Sequence, residues 1–283
     1  MAQQINPFQA TVANVANFLA HAVEEGREYT TINGYRSAIS AYHPEIDGHK
    51  VGQHPIIKQM MTGIFHKKPP TPKYSETWDV KIMLDYLKHK GSNDELSDKT
   101  LTWKTAMLIA LTNASRAHEI KNLNPSHTED FGDRITLHIS QLTKSKRQSK
   151  PHISIDLITY HNDPSLDAVS CYRAYLKRTK EWRVTEDQKS QLFLSLVIPH
   201  APVATSTISR WLREIMTDAG INTGFFKAHS VRGASTSKAC NAGLSVGQII
   251  DKANWSRADT FRKFYHKPIN VSETEYQDKV FEL

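Results

Sequence analysis

Cysteine is almost missing from these 283 residues: Cys171 and Cys240 are the only two. Two thiols cannot build a disulfide framework or a thiolate metal cage, so a reducing compartment is the simpler expectation. Long apolar runs are missing as well. None approaches the roughly 20 residues needed to span a bilayer, and the N-terminus lacks the basic–apolar–small pattern of a signal peptide. Internal repeats and low-complexity tracts are also missing. Together these absences argue against a secreted disulfide scaffold, a membrane-spanning chain and a repeat array, and the expected location is cytosolic or nuclear.

What is present is an ordinary globular composition with a basic surplus. Hydrophobic residues make up 39% and charged residues 23%, the balance of a folded chain rather than a disordered one. Lys and Arg number 36 against 29 Asp and Glu, a net charge of +7. That surplus points to a polyanionic partner without proving one, since a housekeeping enzyme can carry the same charge. At roughly 100–200 residues per domain, the length predicts two domains.

Periodicity divides the chain in the same way. Val12, Val15, Phe18, Leu19 and Val23 repeat at helical spacing until Gly26 interrupts them. A second helix is predicted over about 30–42, with Ile32, Tyr35, Ile39 and Tyr42 on one face, and a third over about 54–65, with Ile56, Ile57, Met60, Met61 and Ile64. Pro69, Pro70 and Pro72 then exclude a continuing helix. The expected organisation is a helical domain over 1–68, a linker over 69–77 and a second domain over 78–283. In the second domain helices are predicted at about 78–89, 99–112, 116–123 and 166–180, and over most of 206–283. Arg134-Ile-Thr-Leu-His-Ile-Ser140 alternates and is rich in β-branched residues, so it reads as a strand, with 152–157 as its partner. Residues 191–195 are expected to add a short strand. Ser245, and Ser272 with Glu275, look like helix caps. The fold class is therefore mainly α with a small β-sheet (α+β).

Five polar residues in this frame are chemically suggestive. Arg116 stands in Asn-Ala-Ser-Arg-Ala-His-Glu-Ile, with Glu119 three positions on. His229 and Arg232 form His-Ser-Val-Arg. Trp255 and Tyr265 follow. Arginine forks fit phosphate oxygens. Histidine moves protons near neutral pH, an indole N–H donates one hydrogen bond, and a phenol beside cations can become a nucleophile. A basic turn with Lys144, Lys146, Arg147 and Lys150 separates the two predicted strands. A lysine there, Lys144 by preference, could deliver a proton to a leaving oxygen. Taken singly, each residue has a plainer reading: a core histidine, a surface arginine, a surface ion pair worth about 0–1 kcal/mol, a solvated turn, a packing aromatic. His118-Glu119 does not begin a His-Glu-x-x-His zinc site, because position 122 is Asn. No metal site and no cofactor are expected.

The order Arg…Lys…His-x-x-Arg…Trp…Tyr resembles the tyrosine recombinase (phage integrase) family. Ser115-Arg-Ala-His-Glu-Ile-Lys-Asn-Leu looks like its first arginine box, and Ala228-His-Ser-Val-Arg-Gly-Ala-Ser-Thr like its second. Trp255 stands where many members have His, and Tyr265 comes ten residues later. The phrase Trp-Ser-Arg-Ala-Asp-Thr-Phe-Arg-Lys-Phe-Tyr is most similar to eukaryotic mobile-element recombinases of the Crypton and DIRS type. The resemblance covers about 78–270. Residues 1–66 look like the helical core-binding domain, one helix short, as in a trimmed or divergent start.

The resemblance implies a C-shaped clamp on double-stranded DNA and a site-specific recombinase. Tyr265 would form a 3′-phosphotyrosyl intermediate without metal. Arg116, Arg232, His229 and Trp255 would stabilise the transition state, with Glu119 in support and Lys144 as general acid. It also implies a tetramer on two duplexes, with residues 271–283 docked on a neighbour, in the nucleus or, for a prokaryotic chain, the cytoplasm. Arg36, Lys58, Lys67, Lys68, Lys146 and Arg147 are candidate DNA contacts. The competing readings are a type IB topoisomerase, which shares the chemistry, and a DNA-binding protein of the same fold that has lost it.

Overall fold

The computed structural model of the chain describes residues 6–70, 75–139, 154–255 and 258–267. The chain divides into two compact units, Met1–Lys73 and Tyr74–Leu283. Each has its own apolar core.

The first unit holds α1 (Val12–Glu24), α2 (Tyr29–Tyr42) and α3 (Pro55–Lys67). Thr11 starts α1: its hydroxyl accepts the Asn14 N–H at 3.2 Å, while Asn14 Oδ1 accepts the Thr11 N–H at 2.9 Å. Those bonds satisfy donors that a helix start leaves open. Gly26 turns the chain out of α1 at φ 79°, a left-handed conformation open to glycine at little cost. Pro55 opens α3, where a missing N–H is harmless. Val15, Leu19, Ile32, Ile57, Met61 and Ile64 meet in the centre. The stripes predicted from periodicity thus face inward, except that Phe18, Tyr42 and Ile56 fall at their edges and stay exposed.

The second unit is organised around α5 (Asp98–Thr112), which follows α4 (Val80–Lys88). Every side chain from Leu101 to Leu111 is buried, as expected of a helix enclosed on all sides. Packed on it are α6 (Ala117–Lys121), α7 (Ala168–Arg178), α9 (Thr205–Asp218) and α10 (Ser230–Asn241). A short α8 (Glu186–Ser190) lies between α7 and α9, and α11 (Val246–Lys252) and α12 (Ala258–Phe264) follow α10. The sheet is antiparallel in the order β1 (Leu123–Asp130), β2 (Arg134–Ile139), β3 (Ser154–Ile158). Alternation in β2 and β3 turns Ile135, Leu137, Ile139, Ile155 and Leu157 inward, with Ile135 opposite Leu157 and Leu137 opposite Ile155. No described helix is long and apolar enough to cross a membrane.

Two elements differ from the sequence expectation. The helix expected to reach residue 123 ends at Lys121, and Leu123–Asp130 is a strand. It pairs on one side only and its register shifts between Asn124 and Thr128. An irregular edge strand tolerates Pro125 and shows no alternation to read. Residues 191–195 form no strand, only a single bridge between Leu194 and Pro202. Their backbone is served instead by Arg183, whose guanidinium donates to the carbonyls of Gln188, Gln191 and Leu192. Ser245 does cap α11, reciprocally with Gln248. The turn carrying Lys144, Lys146, Arg147 and Lys150, and the Ser272–Glu275 pair, lie outside the described residues.

Ile109 is fully buried on the α5 axis. Ile109→Ala is expected to lower unfolding stability by about 2–5 kcal/mol, the cost of lost burial plus a cavity. Urea denaturation measures it, and a loss under about 1 kcal/mol would contradict the enclosed position of α5.

Candidate active site

The site is assembled by one buried cation. Arg232, in the first turn of α10, is 1% exposed. Its Nη1 donates to the Ala114 carbonyl at 2.6 Å and its Nη2 to the Ala253 carbonyl. Both carbonyls sit at left-handed turns: Ala114 has φ 45°, and Asn254, directly after Ala253, has φ 51°. Asparagine tolerates that conformation, whereas for alanine it costs on the order of 1–2 kcal/mol. The first turn leads into Arg116 and the second into Trp255. A single guanidinium therefore fixes the two loops that deliver the other polar residues.

Glu119, 4% exposed, ties the arginines together. Its Oε1 accepts from Arg116 Nη1 at 2.8 Å and its Oε2 accepts the Arg116 backbone N–H at 2.7 Å. The same Oε2 lies 3.6 Å from Arg232 Nη1. Burial, and then the Arg116 charge, push Arg232 well below the ordinary arginine range, to about 10, against the pull of Glu119 and Tyr265. The guanidinium stays charged at neutral pH. From about 10 up to the ordinary arginine range the unfolded chain holds a proton that the folded chain lacks, so this group makes stability rise with pH across that window. An anion bound beside Arg232 would favour the charged form and raise the value again.

Tyr265, at the end of α12, lies across this arrangement. Its hydroxyl is 2.8 Å from His229 Nε2. Its ring stacks at a tilt on Trp255 with centroids 4.5 Å apart. The Arg232 guanidinium carbon is 4.6 Å from the Trp255 ring centre and 5.7 Å from that of Tyr265. Two donors here, Arg232 Nε and Trp255 Nε1, are buried without an acceptor. A buried donor left unpaired costs about 1–3 kcal/mol. The phenol thus sits among cations and donors beside a histidine able to take its proton, which suits binding an oxyanion and activating a hydroxyl toward it.

Sequence reasoning selected most of this set, since Arg116, Glu119, His229, Arg232, Trp255 and Tyr265 converge. Two details differ. Arg116 and Glu119 are not a solvated surface pair, because Glu119 is enclosed with Arg232. The plainer readings of His229 as a core residue and Arg232 as a surface one are reversed: His229 stands at the N-cap position of α10 and is exposed, while Arg232 turns inward. Lys144, Lys146 and Arg147 lie outside the described residues. In the first unit, Lys58 and Lys67 are exposed and Arg36 is half-buried. Lys68 is engaged locally, 2.9 Å from both Glu28 Oε1 and the Gly26 carbonyl. Sequence reasoning missed the carbonyls of Ala114 and Ala253, which leave no side-chain signal. It also missed Ser237, whose hydroxyl donates to the Tyr265 carbonyl at 2.6 Å. Its only trace is a spacing of four from His229 through residue 233 along α10. Among the described residues no cluster of His, Cys, Asp and Glu is arranged to hold a metal ion.

A sequence model of the phage integrase family matches residues 77–270. No curated protein sequence matches the chain. Several solved structures share the fold. One is the Tn1549 transposon integrase bound to transposon right-end DNA, at 14% identity over 97% of this chain and 86% of that one, with a TM-score of 0.60. Another is the XerH site-specific recombinase in a post-cleavage complex with difH DNA, at 14% identity over 96% and 72%, TM-score 0.61. A lambda integrase dimer bound to a core site is similar at 13% identity over 94% and 82%, TM-score 0.51.

Removing Glu119 would leave two arginines facing each other in a largely buried setting. Glu119→Ala is expected to cost about 3–5 kcal/mol of unfolding stability, because it strands the buried charge of Arg232. Chemical denaturation measures this, and a change under about 1 kcal/mol would mean that Glu119 is a surface pair after all.

Proposed function

The chain belongs to the phage integrase family of tyrosine recombinases, which are site-specific DNA strand transferases, and on that premise we propose that Tyr265 is its nucleophile and assign the surrounding residues their roles. The Tyr265 hydroxyl attacks a DNA phosphorus as His229 Nε2 takes its proton. A Tyr–O–P bond forms and the bond to the 5′ oxygen breaks. The strand is left joined to the protein through its 3′ phosphate, with a free 5′ hydroxyl on the other side. Lys144 gives the departing oxygen its proton. Attack by the 5′ hydroxyl of a partner strand reverses the step and exchanges the strands. Bond energy is kept in the ester, so no nucleotide cofactor is consumed.

Charge gathers on the non-bridging oxygens as phosphorus becomes five-coordinate, and preorganised donors there stabilise the transition state most effectively. Arg116 and Arg232 supply the positive charge, while Glu119 limits their repulsion and fixes their orientation. The Trp255 indole N–H donates one further bond. The observation that carries this reading is the 2.8 Å contact between His229 and Tyr265 beside a buried arginine. The unpaired donors Arg232 Nε and Trp255 Nε1 support it, since a phosphate oxygen would satisfy them.

The finer reading extends beyond the catalytic domain. We assign residues 1–68 to the second arm of a DNA clamp, with Arg36, Lys58, Lys67, Lys146 and Arg147 on the phosphate backbone. On the phrase ending at Tyr265, the source is a transposable element of the Crypton or DIRS type acting in the nucleus. The active assembly is a tetramer on two duplexes, joined by exchange of residues 271–283. That segment carries Val271, Tyr276, Val280, Phe281 and Leu283 among four acids. Two adjoining depressions of the second unit, both lined by Leu111, Thr112, Ile158 and Lys252, with Asp156 in one of them, offer apolar surface for its hydrophobic residues.

Nicked duplexes of randomised sequence, whose short cleaved strand diffuses away, trap the covalent intermediate and need no known target site. Wild-type protein is expected to form a detergent-resistant adduct even in excess chelator, and Tyr265→Phe none, with duplex binding retained. Adduct formation by Tyr265→Phe would overturn the assignment. Lys144→Ala is expected to lose cleavage of ordinary DNA and recover it when sulfur replaces the bridging 5′ oxygen, because a thiolate leaves without a proton. Equal loss on both substrates would remove Lys144 from the role of acid. Two-site recombination assayed beside plasmid relaxation distinguishes a recombinase from a type IB topoisomerase.

A further inference from the structure

Helix α10 does more than carry His229 and Arg232. His229, Gly233 and Ser237 stand four residues apart and so lie in a row on one helix face. Tyr265 rests along that row. Its hydroxyl meets His229 at 2.8 Å. A methyl group built on Gly233 would touch its ring carbon Cδ1 at 3.9 Å. At the third position, Ser237 Oγ donates to the Tyr265 carbonyl at 2.6 Å and accepts the Lys267 N–H at 3.1 Å. Ser237 is fully buried, while Tyr265 and Lys267 are partly exposed.

The geometry points to Ser237 as a positioning residue for the nucleophile, acting through the main chain, an inference that rests on Tyr265 being the attacking group. α12 has only seven residues, and a helix that short has little stability of its own. The Tyr265 carbonyl falls where a helix end leaves its acceptors without an intrahelical donor. Ser237 fills that vacancy, and by accepting from Lys267 it also fixes the chain as it leaves the helix. The hydroxyl of Tyr265 and the histidine that receives its proton are thereby referenced to one rigid element. Without Ser237 the ring could still stack on Trp255 and the Tyr265 N–H still bond the Phe261 carbonyl, but the Tyr265 carbonyl would lose its tie to α10. Displacements of about 1 Å in a reacting group can cost on the order of a hundredfold in rate.

The test uses the full chain and the same nicked duplexes of randomised sequence. Ser237→Ala is expected to form adduct about ten- to a hundredfold more slowly at saturating DNA, with duplex affinity and melting temperature close to wild type. Ser237→Thr, which keeps the hydroxyl, is expected to recover most of the rate. A residue with a purely structural role would lower affinity and cleavage together. Wild-type cleavage by Ser237→Ala, or a parallel fall in affinity and cleavage, overturns the proposal while leaving Tyr265 in place. Adduct formation by Tyr265→Phe in the same experiment overturns both.

Discussion

The second unit depends on a charge placed where charges are expensive. Moving a cation out of water costs several kcal/mol even after the protein relaxes around it. Arg232 meets that cost with two backbone carbonyls, one carboxylate and an aromatic face. These partners lie on two segments, 114–119 and 253–255, so burying one side chain of α10 brings distant parts of the chain together. The loop before Arg116, the loop before Trp255 and the start of α10 cannot move independently while the guanidinium holds them. Its depressed affinity for the proton shows that the compensation is incomplete.

The scaffold around that charge is conventional. α5 is enclosed on every side and fixes the position of α10 through apolar contact and through the Ser235 hydroxyl, which donates to the Leu111 carbonyl at 2.5 Å. The Trp78 indole donates to the Ser230 hydroxyl at 3.0 Å, securing the residue next to His229. The start of α10 is therefore braced from two elements. The Tyr265 phenol follows the short and weakly self-supporting α12 and is held by contacts to α10.

Much of this was legible in the sequence, and the parts that were not have a common cause. The helices of the first unit and the β2–β3 pair follow from periodicity because each buries one face. The site residues could be chosen because five chemically unusual side chains occur in a recognisable order. β1 escaped detection because an edge strand with a register shift and a proline has no pattern to show. Residues 191–195 looked like a strand because their centre is apolar, yet Arg183 takes the carbonyls of Gln191 and Leu192. Arg232 taken singly read as a surface arginine, since spacing along a helix does not say which side faces the core. The roles of the Ala114 and Ala253 carbonyls had no signal at all, because every residue has a carbonyl. Structures of the same fold at 13–14% identity show that the fold persists through wide substitution.

The central claim is that residues spread over half the chain act on one phosphorus atom through the oxygen of Tyr265. Mass spectrometry of the trapped protein–DNA adduct tests it directly. Trypsin should release the peptide from Phe264 to Lys279, uncut at Lys267 before Pro268, and this peptide also contains Tyr276, so fragment ions must assign the modified residue. The account predicts a nucleotide phosphate on Tyr265. Its attachment to Tyr276, or to any other residue, would contradict it.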